Sequence, residues 1–256
     1  MARPRKKDGP WELVKTVVYA LLIAGIFRTV LFQPFWIPSG SMKSTLLIGD
    51  FLFVSKYAYG YSQHSFPFSL APFDGRILAA EPERGDVIVF KHPRNGQDYV
   101  KRLIGLPGDR IQMIEGTLFI NGEPAPRRPH PEGPYLEPVV PGQSLQCKSY
   151  PRVAGQVMCL KERFIETLPN GVEHVVLNAD DDTSALSDNT RVFEVPEGHY
   201  FFIGDNRDNS NDSRQSVGMV PFDHLVGRAD LIALSFGGRF WEVWNWRADR
   251  FLVSID

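Results

Sequence analysis

Ser41 lies in Ile37-Pro38-Ser39-Gly40-Ser41-Met42, where a proline and a glycine let the backbone turn sharply and present a hydroxyl. A serine hydroxyl is a weak nucleophile until a positioned base removes its proton. A histidine base would have to be His64, His92, His130, His174, His199 or His224, and none sits in a motif resembling a triad histidine. A lysine is the other route. In Asp98-Tyr99-Val100-Lys101-Arg102-Leu103-Ile104-Gly105-Leu106-Pro107-Gly108-Asp109, period-two alternation puts Lys101 on one strand face with Tyr99 and Leu103. Burial among apolar neighbours disfavours an ammonium and lowers a lysine pKa by up to about 3 to 5 units. The neutral amine can then act as a general base. Taken alone, the alternation is outweighed by the commoner case of a surface lysine on an edge strand.

Four segments, in order, resemble the sequence boxes of bacterial type I signal peptidases. They are Ile37 to Leu46, Arg84-Gly85-Asp86-Val87-Ile88-Val89-Phe90, Tyr99 to Asp109, and Gly204-Asp205-Asn206-Arg207-Asp208-Asn209-Ser210-Asn211-Asp212-Ser213-Arg214. The resemblance implies a serine endopeptidase with a Ser-Lys dyad: Ser41 as nucleophile and Lys101 as general base. It implies that Ser39 donates to the oxyanion beside the Ser41 N–H, and that Ser210 orients the lysine amine. It assigns Asp205, Arg207, Asp212 and Arg214 to structural support, with Asp212 and Arg214 paired. Without it, this run of alternating charge reads as a solvated loop. Ile37, Met42, Leu46, Tyr99 and Val100 are implied to line shallow apolar pockets for the residues before the scissile bond, matching Ala-x-Ala cleavage sites. The chain departs from the family pattern at Ser44, where proline is usual, and at Gln215-Ser216-Val217-Gly218, where an aromatic pair precedes the glycine.

The elements that must position these residues begin with an apolar stretch from Leu13 to Phe32, interrupted by Lys15 and Arg28 and preceded by Arg3, Arg5, Lys6 and Lys7. At about 1.5 Å per residue it reaches roughly 30 Å, the thickness of a bilayer core. Thr16 to Phe27 alone would suit the apolar region of a cleavable signal peptide. Because Gln33-Pro34-Phe35-Trp36-Ile37-Pro38 offers no small-x-small site, an uncleaved single-pass anchor is expected. The basic residues hold the amino terminus in the cytoplasm and send the rest across the membrane, placing the catalytic region on the outer side of the bacterial inner membrane.

Beyond the anchor, short runs rich in Val, Ile and Phe predict strands at 50–55, 86–90, 99–103, 111–113, 118–120, 199–203 and 229–236, with Asn121-Gly122 as a turn. A mainly β, antiparallel fold is expected. The predicted division is a basic tail at 1–12, a transmembrane anchor at 13–32, a catalytic core at 33–120 and 199–256, and an inserted β-rich second domain at 121–198. Asn178-Ala179-Asp180-Asp181-Asp182 in that insertion lacks the spacing of a calcium loop and reads as a solvated loop. Cys147 and Cys159 fit neither a zinc site nor a redox motif, leaving a disulfide or two buried thiols. The aromatic cluster Phe240-Trp241-Glu242-Val243-Trp244-Asn245-Trp246-Arg247 with Phe251 suits either lipid docking or core packing.

A net charge of -2, with no basic cluster after the amino terminus, gives no sign of nucleic acid binding. No cofactor or metal is implied. The expected partners are exported preproteins and the lipid bilayer, with a secretion translocon as a further candidate. The alternatives are a related peptidase dedicated to one substrate, such as a conjugation-pilus protein, and a non-catalytic membrane-tethered β module.

Overall fold

The computed structural model describes residues 10–66, 75–139, 145–179 and 187–255. The basic residues Arg3 to Lys7 and the acidic run Asp180 to Asp182 lie outside them. The described residues open with a helix, α1 (Pro10–Val30), that exposes Trp11, Leu13, Val17, Leu21 and other large apolar side chains. Among the described residues no helix is long and apolar enough to cross a membrane. Only Leu31 separates α1 from strand β1 (Phe32–Trp36), so Phe32, expected at the end of the anchor, belongs to the sheet.

The main sheet has eight strands, every pair antiparallel. After β1 come β2 (Asp50–Ser55), β3 (Val87–Lys91), β4 (Asp98–Gly105), β5 (His199–Ile203), β6 (Val220–Pro221), β7 (Leu225–Ser235) and β8 (Val253–Ser254). Their spatial order is β1-β2-β7-β3-β4-β5-β6, with β8 beside β7. Alternation sorts the strand faces into separate cores. Tyr99 and Leu103 join Ile88, Phe90 and Phe202, whereas Val100 packs with Ile37, Met42, Leu46 and Val89.

The predicted strands all fall within or across observed ones, though 229–236 begins earlier, at Leu225. The longest strand, Gln156–Thr167, gives no apolar alternation in sequence. It sits in the insertion and pairs with Glu173–Asn178, Arg127–Pro129, Tyr135–Pro138 and Arg152–Val153. Its buried positions include Lys161 and Glu166, whose charges are met by Glu137 and Arg207, so a buried face is written in ionic residues. The sulfurs of Cys147 and Cys159 are bonded, tying the segment before Lys148 to this strand.

The expected boundary at residue 121 falls inside a second sheet. Arg110–Ile114 and Thr117–Ile120 pair there with Glu123–Pro124 and Phe193–Glu194. Asn121 and Gly122 both take positive φ (56° and 89°), as a two-residue hairpin turn requires.

The segment carrying Ser41 is the connection from β1 to β2. Its ends are closed by Ile37 N–H to Asp50 C=O (2.9 Å) and Gly49 N–H to Ile37 C=O (2.9 Å). Met42 C=O accepts from Leu46 N–H at 2.8 Å, and Ser44 between them has φ 67°. A proline ring fixes φ near −65°, so the backbone here excludes the proline usual in the family that the sequence resembles. Ser44→Pro should therefore lower the unfolding free energy by more than about 1 kcal/mol, whereas Ser44→Gly, which accepts this backbone, should change it by less. Urea denaturation of both variants checks this, and a proline variant as stable as its parent would contradict the turn geometry.

Candidate active site

Lys101 Nζ lies 2.6 Å from Ser41 Oγ and 2.9 Å from the Val100 carbonyl, and donates to both. Lys101 is 3% exposed and Ser41 7%. The amine also sits 5.4 Å from the centre of the Tyr99 ring. Burial pulls the Lys101 pKa down to about 8, against the carboxylates of Asp212 and Asp205, which favour the ammonium. The contact between amine and hydroxyl works in either direction: the ammonium donates to the oxygen, and once neutral the amine accepts the hydroxyl proton. Ser39 Oγ is 3.4 Å from Ser41 Oγ. The Ser41 N–H makes no hydrogen bond among the described residues, and no histidine there hydrogen-bonds Ser41. His174 faces Glu166 at 3.4 Å, and burial, aided by Arg102, pulls its pKa down to about 4.

These groups border a cleft of about 440 Å³. Ile37, Tyr99 and Val100 line it, joined by Val89, Trp36 and Asn211. Met42 and Leu46, expected in the pocket, lie instead in the core with Leu52 and Val54. Beyond Ser41 the side chains diverge, Met42 and Leu46 into the core, Lys43 to Glu137 and Thr45 to Asp205.

Most of the segment 204–214 is buried, with Asn211 exposed and Asp208 and Asn209 half-buried. The β4–β5 register sets Ile203 opposite Arg102, so the residues just after it meet the lysine strand. Arg102, 1% exposed, clasps Asp205 through Nε (3.0 Å) and Nη2 (2.9 Å) and reaches the Gly85 carbonyl at 2.8 Å. Thr45 Oγ1, from the serine turn, donates to Asp205 at 2.5 Å. Asp212 accepts Nε and Nη2 of Arg214, each at 2.9 Å, and the Gly204 N–H at 3.0 Å. Burial works against both carboxylates, but Arg102 and Arg214 hold them below the usual carboxylate range. Arg207 makes its ion pair with Glu166 of the insertion.

Ser210 is buried, and its hydroxyl helps hold the Asp212 carboxylate low, while the hydrogen bonds of the lysine amine go to Ser41 and Val100. It packs against Gly204 so tightly that a Cβ at that glycine would stand 2.2 Å from Ser210 Oγ and 2.6 Å from the Ser41 carbonyl oxygen. Gly204 is thus a glycine because the serine turn passes over it.

Asn206 carries no mark in the sequence beyond its place in an Asn- and Asp-rich run, where it reads as a turn former. Its N–H donates to the Ser41 carbonyl (3.1 Å) and its side-chain amide to the Gly40 carbonyl (2.8 Å).

Residues 10–234 match the family model described as signal peptidase, peptidase S26. A signal peptidase I of Rickettsia canadensis (strain McKiel) is 40% identical over 235 residues, covering 89% of this chain and 81% of its own. Another, from Rickettsia typhi, is 40% identical over 231 residues, covering 88% and 80%. A crystal structure of a signal peptidase I from Enterococcus faecalis V583 is 28% identical and covers 58% of this chain and 97% of its own, at a TM-score of 0.31, too low for the superposition to carry weight. With the family model spanning most of its length, the chain is an enzyme that belongs to the signal peptidase I family, peptidase S26.

Proposed function

We propose that this enzyme removes amino-terminal signal peptides from exported preproteins through a Ser41–Lys101 dyad, with the catalytic region held at a membrane. The 2.6 Å contact between the buried Lys101 amine and the Ser41 hydroxyl carries the reading. In the neutral state Lys101 takes the Ser41 proton as Oγ bonds to the scissile carbonyl carbon. The oxyanion that forms is met by the Ser41 N–H and the Ser39 hydroxyl, donors arranged before the charge appears. Collapse expels the amine of the mature protein, which takes the proton from Lys101, and leaves an ester on Ser41. Lys101 then accepts a proton from water as the water oxygen attacks the ester, and returns that proton to Ser41 Oγ when the ester bond breaks; the signal peptide leaves as an acid that loses its proton to solvent, and serine and neutral amine are restored.

Ile37, Val89, Val100 and Tyr99 give the cleft apolar walls suited to small side chains, in keeping with Ala-x-Ala sites. Asp205, Arg207, Asp212 and Arg214 brace the two segments that meet at Ser41. Ser210 acts through packing against Gly204. The exposed apolar side chains of α1, together with exposed Phe240, Trp241 and Trp244, suit a lipid surface, with the cleft on its outer side. Trp246, by contrast, packs on both Phe236 and Phe251. Residues 121–198 form the greater part of an inserted second domain.

Ser41→Ala and Lys101→Met should each abolish cleavage of a purified preprotein while leaving the thermal melt intact; full activity in either variant removes the dyad. Because the working form of Lys101 is the neutral one, kcat/KM should climb about tenfold per pH unit and level off above pH about 8. An acid limb centred near 6.5 would instead assign the base to a histidine. Ser39→Ala should lower kcat by about 100-fold, with KM nearly unchanged, since its donor matters only once the oxyanion exists.

A further inference from the structure

Behind the serine turn runs a chain of buried polar groups that the mechanism above does not use. Glu137, from the strand Tyr135–Pro138, lies between two lysines. Its carboxylate is bonded to Lys43 Nζ of the serine turn and stands 3.2 Å from Lys161 Nζ of the strand Gln156–Thr167. Lys161 has no exposed side-chain surface, and its ammonium donates to Asn206 Oδ1 at 3.2 Å. Asn206 in turn holds the Gly40 and Ser41 carbonyls.

The direction of the Asn206 amide is what this chain fixes. A carboxamide offers an oxygen at one end and an N–H pair at the other, and rotation by half a turn exchanges them. An ammonium only donates, so Lys161 holds the Oδ1 end toward itself and leaves Nδ2 toward Gly40. The Gly40 carbonyl belongs to the same planar peptide unit as the Ser41 N–H, and in a trans peptide the two point in opposite directions. Anchoring one therefore aims the other. Burial works to strip the Lys161 proton, and Glu137 opposes that.

We propose that Lys161, kept charged by Glu137, is a positioning residue for the oxyanion hole: it locks the Asn206 amide, which anchors the Gly40 carbonyl and points the Ser41 N–H into the cleft. This rests on Ser41 being the nucleophile whose own N–H receives the oxyanion. It makes the inserted segment, which supplies Glu137 and Lys161, part of what sets the rate.

Lys43→Met and Lys161→Met separate this role from simple bracing. Each leaves one lysine on Glu137, so neither variant strands the carboxylate without a cation, and methionine keeps the aliphatic stem that lies over Gly40 in the case of Lys43. Only Lys161→Met frees the Asn206 amide. Steady-state cleavage of a preprotein should show kcat lowered about 10- to 100-fold in Lys161→Met with KM within about twofold, and kcat within about threefold of the parent in Lys43→Met. Asn206→Asp, which retains shape and the Lys161 contact but faces the Gly40 carbonyl with an oxygen, should match the Lys161→Met loss even if that variant folds poorly. Adding Lys161→Met to Asn206→Asp should bring no further loss.

Equal effects of the two lysine variants, a change in KM alone, or an additive double variant would overturn the proposal. So would parent-level kcat in Asn206→Asp. Ser41→Ala distinguishes the layers: if it still cleaves, the dyad reading has failed, whereas an inactive Ser41→Ala beside a fully active Lys161→Met refutes only the positioning role.

Discussion

The Lys101 amine and the Ser41 hydroxyl lie 2.6 Å apart in a place almost closed to water, and the rest of the molecule answers to what that contact requires. An ammonium on an exposed chain keeps its proton far above neutrality and cannot serve as the base in the proposed reaction. Burial lowers that barrier, but a buried amine needs a rigid wall around it, because a small opening would let solvent restore the charge. The wall is the two-faced packing of β4, with Tyr99 and Leu103 in one apolar cluster and Val100 in another.

That same closure forces the surrounding charges to find partners. Buried ion pairs are costly to form and costlier to break singly. Arg102 has Asp205, Arg214 has Asp212, Arg207 has Glu166, and Glu137 is shared by Lys43 and Lys161. Several of these pairs join segments far apart in the chain, so they stitch the serine turn, the lysine strand and the insertion into one body. Family membership supports a peptidase over a silent binding module, and the pairs tie together the segments that border the cleft.

The sequence made the serine turn and the lysine strand legible because both rest on local rules: Gly and Pro at a sharp bend, and a period of two along a strand. Other features lay outside such rules. Arg102 pairs with a residue 103 positions away, and nothing near it hints at burial. Segment 204–214 looks solvated because its charges alternate, yet Asp205 and Arg207 find partners in distant chain and Asp212 pairs with Arg214 inside the segment. Met42 and Leu46 were expected in the pocket through the family resemblance alone, and nothing in their own spacing distinguishes a pocket wall from the core they join. The strand Gln156–Thr167 escaped notice because its inward positions include Lys161 and Glu166, and only tertiary pairing makes those residues compatible with a core. Asn206 escaped because asparagine's usual meaning is a turn.

Lys101 and Arg102 are neighbours on one strand, and their side chains leave it on opposite faces, one to a serine and the other to a carboxylate. If β4 slid by a single position against β3, every side chain would change sides. The guanidinium would then face the alcohol and the amine would face Asp205, a combination with no proton acceptor. Under the proposed dyad, a chain whose sheet has not yet settled in this alignment has no base beside its serine.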